Sequence, residues 1–437
     1  MDHAGFRWRD IIIPAFGPSI LFGIGKGAVL PIIALTAIDL NASHAVSGLI
    51  VALIGLGSLV SNIPAALITA RFGERRSLIG ASMLTILALA ICLLAHKPLW
   101  LAAGVLMLGM ASSVFYLARQ SYMIDAVPMR MRARAFSMLG GVERIGMLVG
   151  PFAAAGFMHY MGLPGAYWMA IVMLCATLAL TITLPELRAP ADTGNAGTTP
   201  AASQIDADDA TTGKSTTQAR ATVTDTSRAS QGMAARHNKK PRMWSIARQH
   251  ARTFMTLGSG VILIGAMRAS RQVAIPLWAE HIGLSPSTTA VVFGLVSVID
   301  VLVFYPAGKI MDEFGRIWVA VPCTVLLGAS FMAIPLTTSL LPFVLVCMVM
   351  GLGNGFGAGI VMTLGADAAP EQGRTQFLGL WRLIADTGTS SGPFFLSGMT
   401  ALISLGAGVM AVGSFGFIAA AIFWRYLPHT RPGATPR

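Results

Sequence analysis

The chain has 437 residues, of which 54% are hydrophobic and 11% charged. Soluble domains carry about a quarter charged residues, so an ordinary soluble protein is excluded; it could not hide this much apolar surface. The net charge of +12 does not indicate nucleic-acid binding, because the basic residues gather in particular loops, and the four cysteines (Cys92, Cys175, Cys323, Cys347) lie far apart inside apolar runs, which excludes a CxxC metal site and favours buried thiols over disulfides.

A helix crossing ~30 Å of hydrocarbon needs about 20 apolar residues. Twelve such runs follow in chain order, near 11–38, 45–69, 77–96, 98–120, 134–158, 164–184, 254–279, 287–308, 317–336, 340–363, 376–401 and 405–426. The first continues to about Leu40 without a small-residue cleavage site, which predicts a retained span. Six runs precede, and six follow, a stretch near 187–252 that is rich in Ala, Thr, Ser, Asp and Gly and too poor in apolar residues to fold. The expected domains are therefore a first six-helix bundle over 1–186, a disordered linker over 187–252 and a second six-helix bundle over 253–437. The linker's basic end, with Lys239, Lys240, Arg242 and Trp244, fits a segment resting on anionic headgroups.

The two sets of six are copies. Phe72-Gly73 recurs as Phe314-Gly315, 242 residues on. At the same offset Pro64-Ala65 recurs as Pro306-Ala307, and Asp125 and Pro128 as Asp367 and Pro370. Gly146, Gly150, Pro151 and Phe152 recur as Gly388, Gly392, Pro393 and Phe394. A duplicated apolar chain of this kind has the architecture of a secondary transporter.

Lysine and arginine counting sets the orientation. The even-numbered loops hold Arg71, Arg75, Arg76, Arg130, Arg132, Arg134, the linker's basic residues, Lys309, Arg316 and Arg374, whereas the odd-numbered loops hold Lys97. Both termini and the linker are expected in the cytoplasm of a multi-pass plasma (inner) membrane protein. His44, His96, His159 and His281 then fall outside, where ordinary interfacial histidines are the simpler reading and pH sensing the sharper one.

The motifs resemble those of the major facilitator superfamily. The loop after span two reads Ala66-Leu-Ile-Thr-Ala70-Arg71-Phe-Gly73-Glu74-Arg75-Arg76, and its copy reads Gly308-Lys-Ile-Met-Asp312-Glu313-Phe-Gly315-Arg316. The family's loop usually has Asp where this chain has Ala70 and Arg where it has Glu74. Glycine permits the tight reversal, and charges at helix ends pin neighbouring termini. Span five carries Gly146-Met-Leu-Val-Gly150-Pro151, which resembles the GxxxGP element of the superfamily's drug–proton antiporters; close helix packing is the plainer reading. The resemblance implies an all-α integral membrane fold of twelve helices in two pseudo-twofold-related bundles, and a monomer.

Ionisable residues within spans are costly and therefore functional by default. Lys26 in span one and Arg268 in span seven are repeat mates, 242 apart, and Arg271 shares a face with Arg268. In a fold whose spans one, four, seven and ten line the cavity, Lys26 and Arg268 are expected to face one another. With Asn354 they form an expected substrate site, suited either to an anionic group or to neutralising acids nearby. The acids are Glu143, Asp300 and Asp386. Arg144 adjoins Glu143 and is expected to form a bridge to Asp300 that breaks and reforms during alternating access, while Arg382 and Asp386 have intrahelical ion-pair spacing. Burial favours a carboxyl's protonated form and a neighbouring cation its ionised form, so Glu143 and Asp300 rank ahead of Asp386, the most obviously paired, for proton coupling. Arg119 sits near the end of span four with no assigned partner. The glycine run Gly351 to Gly357 predicts a pliable, closely packed helix; no strand precedes it, so it is not a dinucleotide fingerprint.

These residues predict a proton-coupled antiporter working by alternating access, exporting small organic or drug-like molecules from a Met- and Phe-lined cavity. An organic-anion carrier using Lys26, Arg268 and Arg271 is the alternative, and a non-transporting sensor or scaffold the reading from another class. No nucleophile–base set, metal-ligand cluster or cofactor motif appears; the expected partners are lipid, a small-molecule substrate and protons, with no nucleic acid.

Overall fold

The structure is a computed structural model that describes residues 8–126, 132–183, 243–357, 359–370 and 373–427. Most of the expected linker, with Arg130 and Pro128, lies outside these residues. The first half contributes α1 (Trp8–Asp39), α2 (His44–Phe72), α3 (Glu74–Leu93), α4 (Pro98–Ala126), α5 (Arg132–Met161) and α6 (Pro164–Thr183). The second contributes α7 (Met243–Gln249), α8 (Ala251–His281), α9 (Pro286–Glu313), α10 (Ile317–Ala333), α11 (Leu340–Phe356), α12 (Ile360–Ala368), α13 (Arg374–Leu402) and α14 (Leu405–Tyr426). With α11 and α12 counted as one interrupted span and the short α7 set aside, the described helices make twelve spans. Ten are long and apolar enough to cross a membrane. The exceptions, α5 and α13, have the length but carry Glu143, Arg144, Arg382 and Asp386 among several hydroxyls.

The repeat extends from sequence into packing. α1 packs on α5 and α6, as α8 packs on α13 and α14; α2 packs on α4, as α9 packs on α11. Helix starts repeat too: Ser43 caps α2 by accepting from the Val46 N–H, and Ser285, 242 residues on, caps α9 by accepting from the Thr288 N–H. Such caps satisfy amides left open by the first turn.

The α2–α3 turn is made at Gly73 (φ 82°) and the α9–α10 turn at Gly315 (φ 103°), a left-handed conformation that disfavours residues with a Cβ. In the first turn, Ser121 donates to Glu74 at 3.0 Å and Arg75 donates to the Ile182 carbonyl at the end of α6, while Arg71 lies over the Phe72 ring. In the second, Arg316 binds Asp367 at 2.9 Å, Asp312 at 3.4 Å and the Met311 carbonyl at 2.8 Å. Both clusters therefore tie helices within one bundle. Gly308 meets nothing that a Cβ would touch.

The GxxxGP element is a packing device. A Cβ on Gly150 would sit 2.6 Å from the Ala28 nitrogen, and one on Gly27 would sit 2.8 Å from the Met147 carbonyl, so α1 and α5 meet backbone to backbone, with Gly146 one turn earlier and Pro151 beside it. Gly388 and Gly392 meet α8 in the same way. A feature present in both halves serves the fold before it serves direction of transport.

One expectation is borne out with a break beyond it, and one is corrected. The glycine run is helical and closely packed through Phe356, where a Cβ on Gly351 or Gly355 would sit 2.7 Å from the Val296 or Asp300 carbonyl oxygen of α9; the span then breaks, α12 starting at Ile360. The end of the expected linker is helical, with Ile246 of α7 buried. Of the cysteines, Cys92, Cys323 and Cys347 are buried as expected and Cys175 is exposed; all four are free.

Candidate functional site

The bundles meet through α2 with α13, α5 with α9, and α1 with α8. On the side away from the arginine-rich turns the seam is tight: a Cβ on Gly48 would strike Val273, and one on Gly294 would strike the Phe152 ring. Toward the arginine-rich side a gap lined by Ser58, Asn62, Gln120 and Arg382 separates α2 and α4 from α13. A polar cavity opens between the bundles on that side and ends at mid-depth.

Its deep end is a chamber of about 350 Å³ lined by Arg144, Arg268, Arg271, Gln272, Asn354 and Thr389. It continues into a lobe of about 360 Å³ that adds Glu143 and Asp300. Asp300 accepts from the Asn354 amide at 2.6 Å and pairs with Arg271 at 3.6 Å. Arg144 lies over the Phe304 ring, 4.5 Å from its centroid. Among the described residues no carboxylate comes within 4 Å of Arg268. Its Nε and Nη2, the Nε and Nη1 of Arg271, and one Asp300 oxygen are buried without a hydrogen bond. Three guanidinium groups thus share one neighbouring aspartate. The break between α11 and α12 makes room for Arg268, since a Cβ on Gly357 would sit 2.6 Å from its Nη2. Interrupted helices at mid-depth are where carriers commonly bind ligands.

A second charged group lies inside the first bundle. Lys26 donates to the Tyr116 hydroxyl at 3.0 Å, and Arg119 donates to Glu143 at 3.0 Å while lying over the Tyr116 ring, 5.0 Å from its centroid. The Tyr116 ring stands edge-on to Phe22, which stacks on Phe115 with centroids 3.9 Å apart.

The structure brings Arg268, Arg271, Asn354, Arg144 and Asp300 to one chamber and places Glu143 where the chamber and the Lys26 group meet. It corrects two expectations. Lys26 does not face Arg268; it turns into its own bundle toward Tyr116, because Glu143 and Tyr116 supply polar company that the α8 side does not. The expected Arg144–Asp300 bridge is not formed in this conformation, in which one Asp300 oxygen meets Arg271 and Asn354 and the other is unpaired. Asp386 is not the most firmly paired acid: Arg382 and Asp386 are 3.8 Å apart and 69% and 39% exposed, while the partners of Glu143 and Asp300 are more buried. Arg119, left without a partner by the sequence, is an ion-pair partner of Glu143. Tyr116 was missed, although it stands three residues before Arg119 on one helix face, the spacing that signals joint action.

The family model of the Major Facilitator Superfamily matches residues 19–263 and 257–437. An uncharacterised MFS-type transporter of Mycobacterium tuberculosis is 23% identical over 188 residues, covering 42% of this chain and 27% of that protein. Among solved structures, a nucleoside transporter superposes with TM-score 0.69 at 12% identity, covering 95% of this chain and 99% of its own. A D-xylose–proton symporter gives 0.70 at 14% identity, covering 96% and 98%. A bacterial homologue of the human lysosomal transporter Spinster, solved inward-facing and unoccupied, gives 0.68 at 13% identity, covering 97% of each chain. Identities this low speak for the fold alone.

Proposed function

Because the chain belongs to the Major Facilitator Superfamily, a family of transporters rather than enzymes, we propose that it is a proton-coupled secondary transporter that carries small organic anions by alternating access. One observation carries the substrate class: Arg144, Arg268 and Arg271 converge on a chamber whose acids are Asp300, paired with Arg271, and Glu143, paired with Arg119 outside the trio. Burying uncompensated guanidinium groups is expensive, and an anionic ligand on Arg268 and Arg271 offsets that cost through charge-assisted bonds. The expected apolar drug cavity is less well supported: Met147 and Phe293 are the methionine and phenylalanine at its deep lobe, beside seven polar or charged side chains.

Proton exchange is assigned to Glu143. It lines the chamber, so a proton can reach it, and it is the acceptor holding Arg119. Protonation removes that acceptor charge and loosens α4 from α5, which is a route from proton binding to helix movement. Asp300 serves as the standing counter-ion of Arg271. With the arginine-rich side in the cytoplasm, as the positive-inside rule directs, this conformation is inward-facing and both bundle ends of the linker are cytoplasmic. Rocking one bundle against the other would then expose the same chamber outside.

The test is transport in liposomes carrying an internal pH dye, with a panel of organic anions, lipophilic cations and neutral drugs. Dye responses to anions that vanish in Arg268→Ala, and that lose their dependence on the proton gradient in Glu143→Gln while anion exchange persists, support the proposal. Responses confined to cations or neutral drugs overturn it.

A further inference from the structure

The chamber does not end at the arginines. It shares Gly55 and Thr389 with a larger vestibule of about 500 Å³ between α2, α4 and α13, which lies on the way out to the arginine-rich side. Most hydroxyls inside these bundles are already spent on their own helices: Ser82, Thr85, Ser112 and Ser397 each donate to the carbonyl one turn back. The vestibule wall is different. Ser58, Gln120 and Ser390 line it and make no hydrogen bond among the described residues. Ser113 donates to the Asn62 side-chain oxygen at 2.6 Å, which fixes that amide with its NH2 group, two donors, left for the vestibule. Ser113 itself is 6% exposed, so the amide is held from a buried side chain, the support that keeps a recognition group in one orientation.

We propose that this wall binds the body of the substrate while the arginines bind its charge, so that the substrate is a hydroxylated organic anion, of the sugar-acid or sugar-phosphate type. The inference rests on the anion reading given above and deepens it. Asn62 and Gln120 each offer a donor pair and an acceptor, matching vicinal hydroxyls that both donate and accept, while Ser58 and Ser390 face each other's helices across the gap and adapt by rotation of a single hydroxyl. Gly55 admits Ser390 closely, its α-carbon lying 3.3 Å from where a Gly55 Cβ would stand, so α2 and α13 meet closely where the vestibule joins the chamber. A hydrocarbon body of the same size leaves these polar groups without partners when the site closes, and sites built for hydroxyls reject analogues that lack them. Specificity among anions therefore resides in the neutral side chains of Asn62, Gln120, Ser58 and Ser390, while Arg382 and Asp386, which also line the vestibule, contribute one charge of each sign 3.8 Å apart.

The experiment is equilibrium binding to the purified full chain, by intrinsic tryptophan fluorescence or calorimetry, with matched pairs: gluconate and hexanoate, galactarate and adipate, glycerol phosphate and propyl phosphate. The hydroxylated member of at least one pair should bind about tenfold more tightly, as two net hydrogen bonds predict. Gln120→Leu and Asn62→Leu should bring it down to the level of its plain partner, and Ser390→Ala should do so in part. Arg268→Ala should instead weaken both members together. Equal affinity within every pair, or vestibule variants that weaken both members alike, overturns the inference while the anion reading stands. Binding of lipophilic cations with no anion bound overturns both.

Discussion

His44 Nε2 lies 2.9 Å from the Glu280 carboxylate, and this contact joins the first residue of α2 to the last turn of α8 across the closed side of the seam. The His281 ring stands 6.1 Å from that of His44 and 4.8 Å from that of Trp278. The pair favours the conformation seen here. Each side chain is 36% exposed, and pairs of that kind contribute about 0.2–1 kcal/mol. The variants His44→Ala and Glu280→Gln should therefore raise the population open on that side by about 1.4- to fivefold. Spin-label distances between α2 and α8 measure it. A distance unchanged from the parent chain in both variants would remove the latch.

The ion pair Arg119–Glu143 should matter to stability as well as to coupling. Removing one member of a buried pair strands the other, at a cost of about 3–5 kcal/mol, whereas replacing both with neutral groups is far gentler. Arg119→Leu should thus lower the melting temperature in detergent more than the double variant Arg119→Leu, Glu143→Gln. If the double variant melts lower than the single, the pair is not the unit that the 3.0 Å contact indicates.

The fold was legible because its signals are periodic and redundant: twelve long apolar runs, and glycines and prolines repeating at 242 residues. Glycine at 73 and 315 and the GxxxG pairs report backbone geometry directly, since few other residues fit there. The site was harder. Sequence places Lys26 and Arg268 as repeat mates, but a lysine's long chain chooses its partner by local company, and Tyr116 and Glu143 lie in one bundle alone. Asp300 stands where the first half has Ser58, and the Glu143 position is Ala385 in the second half. The functional residues are the places where the copies diverge, and a search by repetition passes over them.

Asp386 tests that distinction from the other direction. It repeats Arg144 with opposite sign, which made it look mechanistic, yet its pairing with Arg382 is long and exposed. An i,i+4 pair of this sort contributes about 0.3–0.5 kcal/mol. Asp386→Asn should shift stability by no more than that and leave the proton dependence of transport intact, unlike Glu143→Gln. Initial rates over a range of imposed gradients decide it. A variant that transports only without a gradient dependence would transfer the coupling role from Glu143 to Asp386.

Two glycines on α5 separate packing from flexibility. Gly150 meets the α1 backbone at distances no Cβ can share, whereas Gly156, less than two turns later, has nothing within 4 Å of where its Cβ would stand. Gly150→Val should force α1 and α5 apart, cost several kcal/mol through overpacking and lost contacts, and abolish monodisperse folded protein. Gly156→Ala should be neutral or slightly stabilising, because alanine supports a helix better than glycine by up to about 1 kcal/mol. Size-exclusion profiles and melting temperatures of the two variants measure the contrast. Equal tolerance at both positions would mean that α1 and α5 are not in backbone contact and that the glycine pattern serves movement instead.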